Sequence, residues 1–171
     1  HDVIAFRTDL PIDDLLFKLI NAAEFQRLRR IRQLGLTSLA YPGADHSRYS
    51  HSLGVMETTR KILAHLQLET QIDEYSHAVC SVAALLHDLG HGPFSHVFER
   101  VSGIEHEEFT CRVILESGTE VNQLLTSFGA SMPQDVVRML RHEKRTYLTD
   151  IISSQLDADR FDYLLRDNLM T

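Results

Sequence analysis

The sequence predicts an all-α chain, and three observations carry that prediction. Apolar residues recur at intervals of three and four along most of the 171 residues, which is the period of one face of a helix. Glycine and proline fall mostly between those runs, where they end one helix and admit the next. No stretch alternates apolar and polar residues for long enough to make a strand.

The elements follow in order. His1-Asp2 reads as a frayed terminus, and Thr8-Asp9-Leu10-Pro11 as a turn into a helix that begins near Ile12 or Asp13 and buries Leu15, Leu16, Leu19 and Ile20. A second helix is expected from about Ala22 to Gln33, with Phe25, Leu28 and Ile31 inward and Arg27, Arg29, Arg30 and Arg32 along the opposite side. Gly35 closes it, and Tyr41-Pro42-Gly43-Ala44 turns the chain. Asp45 to His51 leads into a long helix to about Leu68, with Leu53, Met56, Ile62, Leu63 and Leu66 as core candidates. The next helix opens at Ile72-Asp73-Glu74 and runs apolar through Ala78, Val79, Val82 and Ala83 to Leu86. Pro93 suits the first turn of a helix from Phe94 to about Val101. Further helices are expected over Glu105 to Leu115, Glu120 to Phe128, Pro133 to Leu140 and Tyr147 to Gln155. From Leu156 to Asp167 the pattern is helical again. Asp159, Tyr163 and Asp167 recur every four residues as one polar stripe, while Leu156, Phe161, Leu164 and Leu165 supply apolar contacts elsewhere on the turn.

Composition narrows the function. An apolar fraction of 43% and a charged fraction of 24% suit one globular domain, here residues 1–171. A net charge of -7 argues against a general nucleic-acid binder, which needs a basic footprint. The arginines between Arg27 and Arg32 are the one feature in favour, and such a helix is usually a solvated or interface face. Cys80 and Cys111 lack metal spacing and read as reduced thiols of a cytoplasmic protein. No apolar run reaches the roughly 18 residues of a membrane span, and no leader-like segment opens the chain. A start at His1 and a stop at Thr171 after a helical pattern lead us to expect missing segments at both ends.

The chemistry gathers between Leu85 and His96, where three histidines and a carboxylate follow an apolar run that should be buried. Burying an imidazole beside a carboxylate costs free energy unless each finds a partner, and a divalent cation satisfies both. His87-Asp88 therefore reads as half of a metal site. Neighbours on a helix diverge by roughly 100 degrees, so both reach one ion only where the helix ends, and Gly90 and Gly92 supply that end. His51 follows Arg48 by three residues, which sets a ligand beside an anion clamp. His96 and Glu99, also three apart, look like an imidazole oriented by a carboxylate. His46, His65, His77 and His142 read as structural or surface residues.

Arg48-Tyr49-Ser50-His51-Ser52-Leu53-Gly54-Val55, His87-Asp88 and Leu156-Asp157-Ala158-Asp159-Arg160-Phe161-Asp162-Tyr163 together resemble the HD-domain metal phosphohydrolases. Within them the chain is most similar to the deoxynucleoside triphosphate (dNTP) triphosphohydrolase branch, which includes bacterial dGTPases. Phe25-Gln26-Arg27-Leu28-Arg29, Gln33-Leu34-Gly35, Pro42-Gly43-Ala44 and the stretch from His87 to His96 fit as well. The resemblance implies the all-α HD-domain helical bundle, followed in the family by further helices. It implies His51, His87, Asp88 and Asp159 as metal ligands, a set that suits Mn, Fe, Ni, Mg or Zn without choosing among them. It implies His91 facing the α-phosphate, His96 as general acid or base, and Glu99 and His106 as its supporting partners. Arg48 and Arg160 would bind phosphate, Gln33 and Asp167 the sugar 3'-hydroxyl, and Tyr163 would lie along the sugar.

The implied partners are a nucleotide, in first place a dNTP, and further copies of the chain in a homo-oligomer. Some positions depart from the pattern. Asp2-Val3-Ile4-Ala5-Phe6 does not match the family's Asp-Pro-x-His-Gly opening, Glu99 stands where Asp is frequent, and Asn21 replaces a carboxylate that reads guanine in activator-responsive members. Two rival readings are an HD phosphohydrolase of a nucleoside monophosphate, cyclic dinucleotide or alarmone, and a non-catalytic nucleotide- or nucleic-acid-binding module with a structural metal.

Overall fold

The computed structural model describes residues 4–7, 9–94 and 96–170, without the side chains of His96, Phe98, Ser102, Leu169 and Met170. The His1-Asp2 dipeptide lies outside the described residues.

Helix α1 (Pro11–Asn21) carries its proline in the first turn, where no amide hydrogen is needed, and buries Leu15, Leu16, Leu19 and Ile20. A single turn, α2 (Ala23–Gln26), follows. Helix α3 (Arg48–Leu66) is capped by Ser47, whose hydroxyl accepts from the Ser50 amide. Helix α4 (Glu74–Leu86) is capped in the same way by Asp73, with the Ser76 amide 2.8 Å from its carboxylate. Every residue from Ala78 to Leu86 is buried, Ser81 being the one polar side chain among them, so this length of α4 is enclosed on all sides and is the core of the molecule. It packs against α3 on one side, and on the other against α8 (Met132–Leu140) with α9 (Tyr147–Ile152) beside it. Helix α10 (Ala158–Met170) lies along α3, while α6 (His106–Leu115) and α7 (Glu120–Phe128) complete the side occupied by α8. Short α5 (His96–Ser102) follows the His-Asp turn. No described helix is long and apolar enough to cross a membrane.

The all-α expectation holds, and several boundaries move. The helix expected over Ala22 to Gln33 stops at Gln26, tightens to a 3-10 turn over Arg27–Arg30, and is extended at Ile31 with φ -110° and ψ 113°. The cause is tertiary. The Gln33 amide donates to the His46 carbonyl at 3.0 Å and the Arg48 amide to the Ile31 carbonyl at 2.8 Å, giving an isolated antiparallel bridge between Arg32 and Ser47. The arginines consequently do not form one basic face: Arg27 turns inward, Arg29 lies 3.8 Å over the Tyr49 ring, and Arg32 pairs with Asp45 at 3.1 Å.

Helix α5 starts at His96, because Phe94 adopts a left-handed φ of 59° that no helix continues through. Helix α9 ends at Ile152, three residues early; the Asp157 carboxylate instead takes the amides of Ser154 and Arg160 and starts α10. In α3 the buried positions include Val55, Met56, Thr59 and Leu63, whereas Leu53, Ile62 and Leu66 are only half-buried. The apolar residues assigned to contacts near α10 are exposed, Leu156 at 73% and Leu165 at 65%, with Phe161 and Leu164 also open.

Candidate metal centre

Three helix ends meet at one point. His51 lies in the first turn of α3, His87 and Asp88 directly follow α4, and Asp159 is the second residue of α10. His51 Nε2 is 2.9 Å from Asp159 Oδ1, and His87 Nε2 is 3.8 Å from the same oxygen. Asp88 Oδ1 is 3.5 Å from His87 Nε2, and Asp88 Oδ2 is 3.8 Å from His51 Nε2. The two imidazoles sit edge to face with ring centres 5.3 Å apart. Candidate ligand atoms of His51, His87 and Asp159 all fall within 4.8 Å of one another.

The ring tautomers suit a cation. His87 Nδ1 is 2.9 Å from the Ala84 carbonyl, which only accepts, so Nδ1 carries the hydrogen and Nε2 presents a lone pair. That Nε2 atom is buried and makes no hydrogen bond among the described residues. An unsatisfied buried acceptor costs about 1–3 kcal/mol, and a divalent ion held with the facing carboxylates removes that cost.

Asp162, in α10, was missed as a site residue by the sequence reading. Its Oδ2 is 2.8 Å from His51 Nδ1, and Arg166 grips the same carboxylate through Nε at 2.9 Å and Nη2 at 2.7 Å while reaching the Ser50 carbonyl at 3.0 Å. A carboxylate behind a histidine fixes ring orientation and raises ligand basicity. Gly54 makes room for it, since a Cβ there would stand 1.8 Å from Asp162 Oδ1. The sequence does carry a signal for it, because Asp162 follows Asp159 by three residues, one helical turn on, beside the four-residue stripe.

Electrostatics hold the cluster charged. Burial opposes ionisation of Asp88, yet His87, a hydrogen bond from His91 and the Arg48 guanidinium keep its carboxyl well below the usual range. Arg48 Nη1 contacts Asp88 Oδ2 directly. Burial also opposes protonation of His51, but Asp159 and Asp162 outweigh it and lift the imidazole to about 9 in the metal-free protein.

A second group adjoins the first through Asp88. His91 Nε2 is 3.2 Å from Asp88 Oδ1, and the His91 and His106 rings stack with centres 3.7 Å apart at 15°. Glu99 Oε1 is 2.5 Å from His106 Nδ1 and 3.9 Å from His91 Nδ1. The described partner of Glu99 is thus a histidine of α6, whereas the spacing had suggested His96; the His96 side chain lies outside the described residues. Burial pushes the His91 imidazole down to about 4 against the pull of Asp88, so it is neutral near pH 7. The turn carrying His91 is pinned from both sides. Arg27 Nη1 donates to the His91 carbonyl at 2.7 Å and Nη2 to that of Leu89, while the Gly90 amide donates to Thr110 Oγ1 at 2.7 Å. A Cβ on Gly90 would lie 2.1 Å from the His106 carbonyl oxygen, so only glycine fits there.

The remaining candidates divide. Asp167 Oδ1 is 3.1 Å from Nε2 of buried His46, and the Gln33 backbone is bonded to His46, which links Gln33, His46 and Asp167. The Gln33 side-chain oxygen is buried without a hydrogen-bond partner among the described residues. Tyr163 is half-buried in α10. Arg160 is not drawn to the cluster: its side chain is 51% exposed and lies 4.0 Å from Asp157. A cavity of about 330 Å³ opens beside the centre, lined by His87, Asp88, His106 and Asp159 and, further out, by Arg141 and His142. Nothing in the sequence distinguished His142 from a surface residue.

Known proteins share this architecture. The chain is 49% identical over 161 residues to the uncharacterized protein YwfO of Bacillus subtilis, covering 93% of this chain and 37% of that protein. It is 32% identical over 190 residues to the deoxynucleoside triphosphate triphosphohydrolase SAMHD1 homolog of Dictyostelium discoideum, covering 98% of this chain and 35% of that one. The crystal structure of a phosphohydrolase from Bacteroides thetaiotaomicron matches with a TM-score of 0.82 at 32% identity, over 98% of this chain and 40% of that one. The chain spans little more than a third of the length of these curated relatives. The HD domain family matches residues 48–167, which take in both the His-Asp turn and the α10 carboxylates, and the chain belongs to that family.

Proposed function

We propose that this protein is a metal-dependent phosphohydrolase that cleaves dNTPs to deoxynucleoside and triphosphate. The observation that carries the reading is the buried, unpartnered Nε2 of His87 facing His51 and the Asp159 carboxylate. The SAMHD1-type relatives, named for dNTP hydrolysis, supply the substrate class.

His51, His87, Asp88 and Asp159 would hold the ion, whether Mn, Fe, Ni, Mg or Zn. When bound, a divalent ion lowers the pKa of water toward about 7 and polarises a phosphoryl oxygen. The chain's own groups do the rest. Asp162 and the Ala84 carbonyl fix the two ring tautomers so that both Nε2 atoms face the ion. Arg48 offsets charge on Asp88 and meets the phosphate. Neutral His91 hydrogen-bonds the α-phosphate without adding a buried charge. Water oxygen adds at the α-phosphorus, the bond from phosphorus to the sugar 5'-oxygen breaks, and that oxygen takes up a proton. His96 is the candidate donor, with His106 and Glu99 supporting the transfer. Gln33 and Asp167 bind the 3'-hydroxyl, Tyr163 lies along the sugar, and Arg160 is a further phosphate contact. A cytoplasmic homo-oligomer belongs to the same reading, and the open apolar residues of α10 suit a further packed surface.

A product assay tests this. Each dNTP is incubated with Mn or Mg and the full-length protein, wild type and Asp88→Ala. Deoxynucleoside with inorganic triphosphate, absent in the variant, is the expected result. No turnover of any dNTP by a metal-loaded protein sinks the reading, and hydrolysis of a monophosphate, cyclic dinucleotide or alarmone alone replaces it with another HD chemistry.

A further inference from the structure

Helix α8 ends in a paired-hydrogen-bond cap. The His142 amide donates to the Met139 carbonyl at 3.1 Å and the Glu143 amide to the Arg138 carbonyl at 3.2 Å. That cap requires a left-handed residue between them, and His142 supplies it with a φ of 53°. Glycine is the default there because it adopts such angles without steric cost. A histidine at this place gives up local stability, and backbone outliers of this sort cluster at functional sites. His142 and Arg141 line the same cavity as His87, Asp88 and Asp159.

We infer that Arg141 and His142 form the contact for the far end of a polyphosphate whose near phosphate lies at the His51, His87 and Asp159 cluster. This rests on the dNTP reading for the identity of the near phosphate. Arg141 reaches the Cys111 thiol, a neutral partner, so its guanidinium keeps its charge for an anion in the cavity. Cys111 lines the cavity too, and burial pushes its thiol pKa up, so no thiolate forms near neutral pH to neutralise that charge. Three carboxylates, Glu105, Glu107 and Glu108, face the cavity from the start of α6 and disfavour a bare anion. A polyphosphate arrives as its divalent-cation complex, however, and magnesium combines one or two carboxylates with substrate phosphate oxygens. The cavity thus offers donors to the oxygens and carboxylates to the cation.

The test uses the full-length, metal-loaded protein with His142→Gly and Arg141→Gln. Glycine suits the left-handed position, so His142→Gly should melt at the same temperature as wild type or higher. Its KM for dNTP should nevertheless rise about tenfold with kcat within twofold, as expected when a charge-assisted contact made equally in ground and transition states is lost. Inhibition by inorganic triphosphate should weaken by a similar factor in both variants, while inhibition by inorganic phosphate stays unchanged. Unaltered KM and unaltered triphosphate inhibition in both variants would overturn the inference and leave dNTP hydrolysis standing. If wild type turns over no dNTP yet binds triphosphate in a His142-dependent way, the subsite stands and the dNTP reading falls.

Discussion

The two histidine groups that share Asp88 are built to different plans. His51, His87 and Asp159 stand at the ends of α3, α4 and α10, and each imidazole has its back nitrogen tied, to Asp162 in one case and to the Ala84 carbonyl in the other. His91 and His106 stand on a turn and a helix start, stacked face to face with Glu99 beside them. The first group has its tautomers fixed and an unpartnered nitrogen, which is what an ion needs. In the second, burial keeps one ring neutral and a carboxylate sits on the other, which is what proton handling needs. The two groups also differ in what shapes them: the first stands on the ends of three packed helices, whereas the turn carrying His91 owes its shape to Arg27 and Thr110.

Four variants sharpen that contrast. The largest effect is expected from His87→Ala, which should abolish stoichiometric metal binding measured by calorimetry and reduce turnover by more than about a thousandfold. Retention of one tight ion would break the assignment of the first group. Asp162→Asn should come next, with metal affinity lowered about 10–100-fold, the range for removing a carboxylate behind a ligand histidine. Gly54→Ala should copy that loss by steric means, and should also lower the melting temperature, because the added Cβ collides with the Asp162–Arg166 pair. An alanine protein with wild-type metal affinity would show that Asp162 does not orient His51. The smallest effect on the ion belongs to the second group. Glu99→Gln should leave metal affinity within about twofold and lower kcat about tenfold to a hundredfold, read by metal titration beside steady-state kinetics.

Much of this was legible beforehand. The all-α character, the buried run of α4 and the reading of His87-Asp88 as half of a metal site followed from periodicity and burial cost; only motif resemblance set His51 and Asp159 beside them. The second helix was not, because residues 31–33 have helical periodicity but pair their backbone with residues 46–48. Arg27 read as one member of a surface cluster, and only the fold turns it onto the carbonyls of Leu89 and His91. His142 escaped for the same reason, since the cavity it lines is built from residues far away in sequence; Asp162 was marked by its spacing from Asp159, but its partner His51 was not.

What the sequence alone determined was local: which stretches are helical, where caps and glycines end them, and which side chains have metal-type chemistry. These depend on interactions within a few residues, so composition and spacing suffice. What the tertiary structure decided was pairing: which carboxylate backs His51, which carbonyls hold the His91 turn, and which helix cap faces the cavity. Such pairs join residues as far apart as Ser50 and Arg166, and their geometry exists only once α3, α4 and α10 have packed.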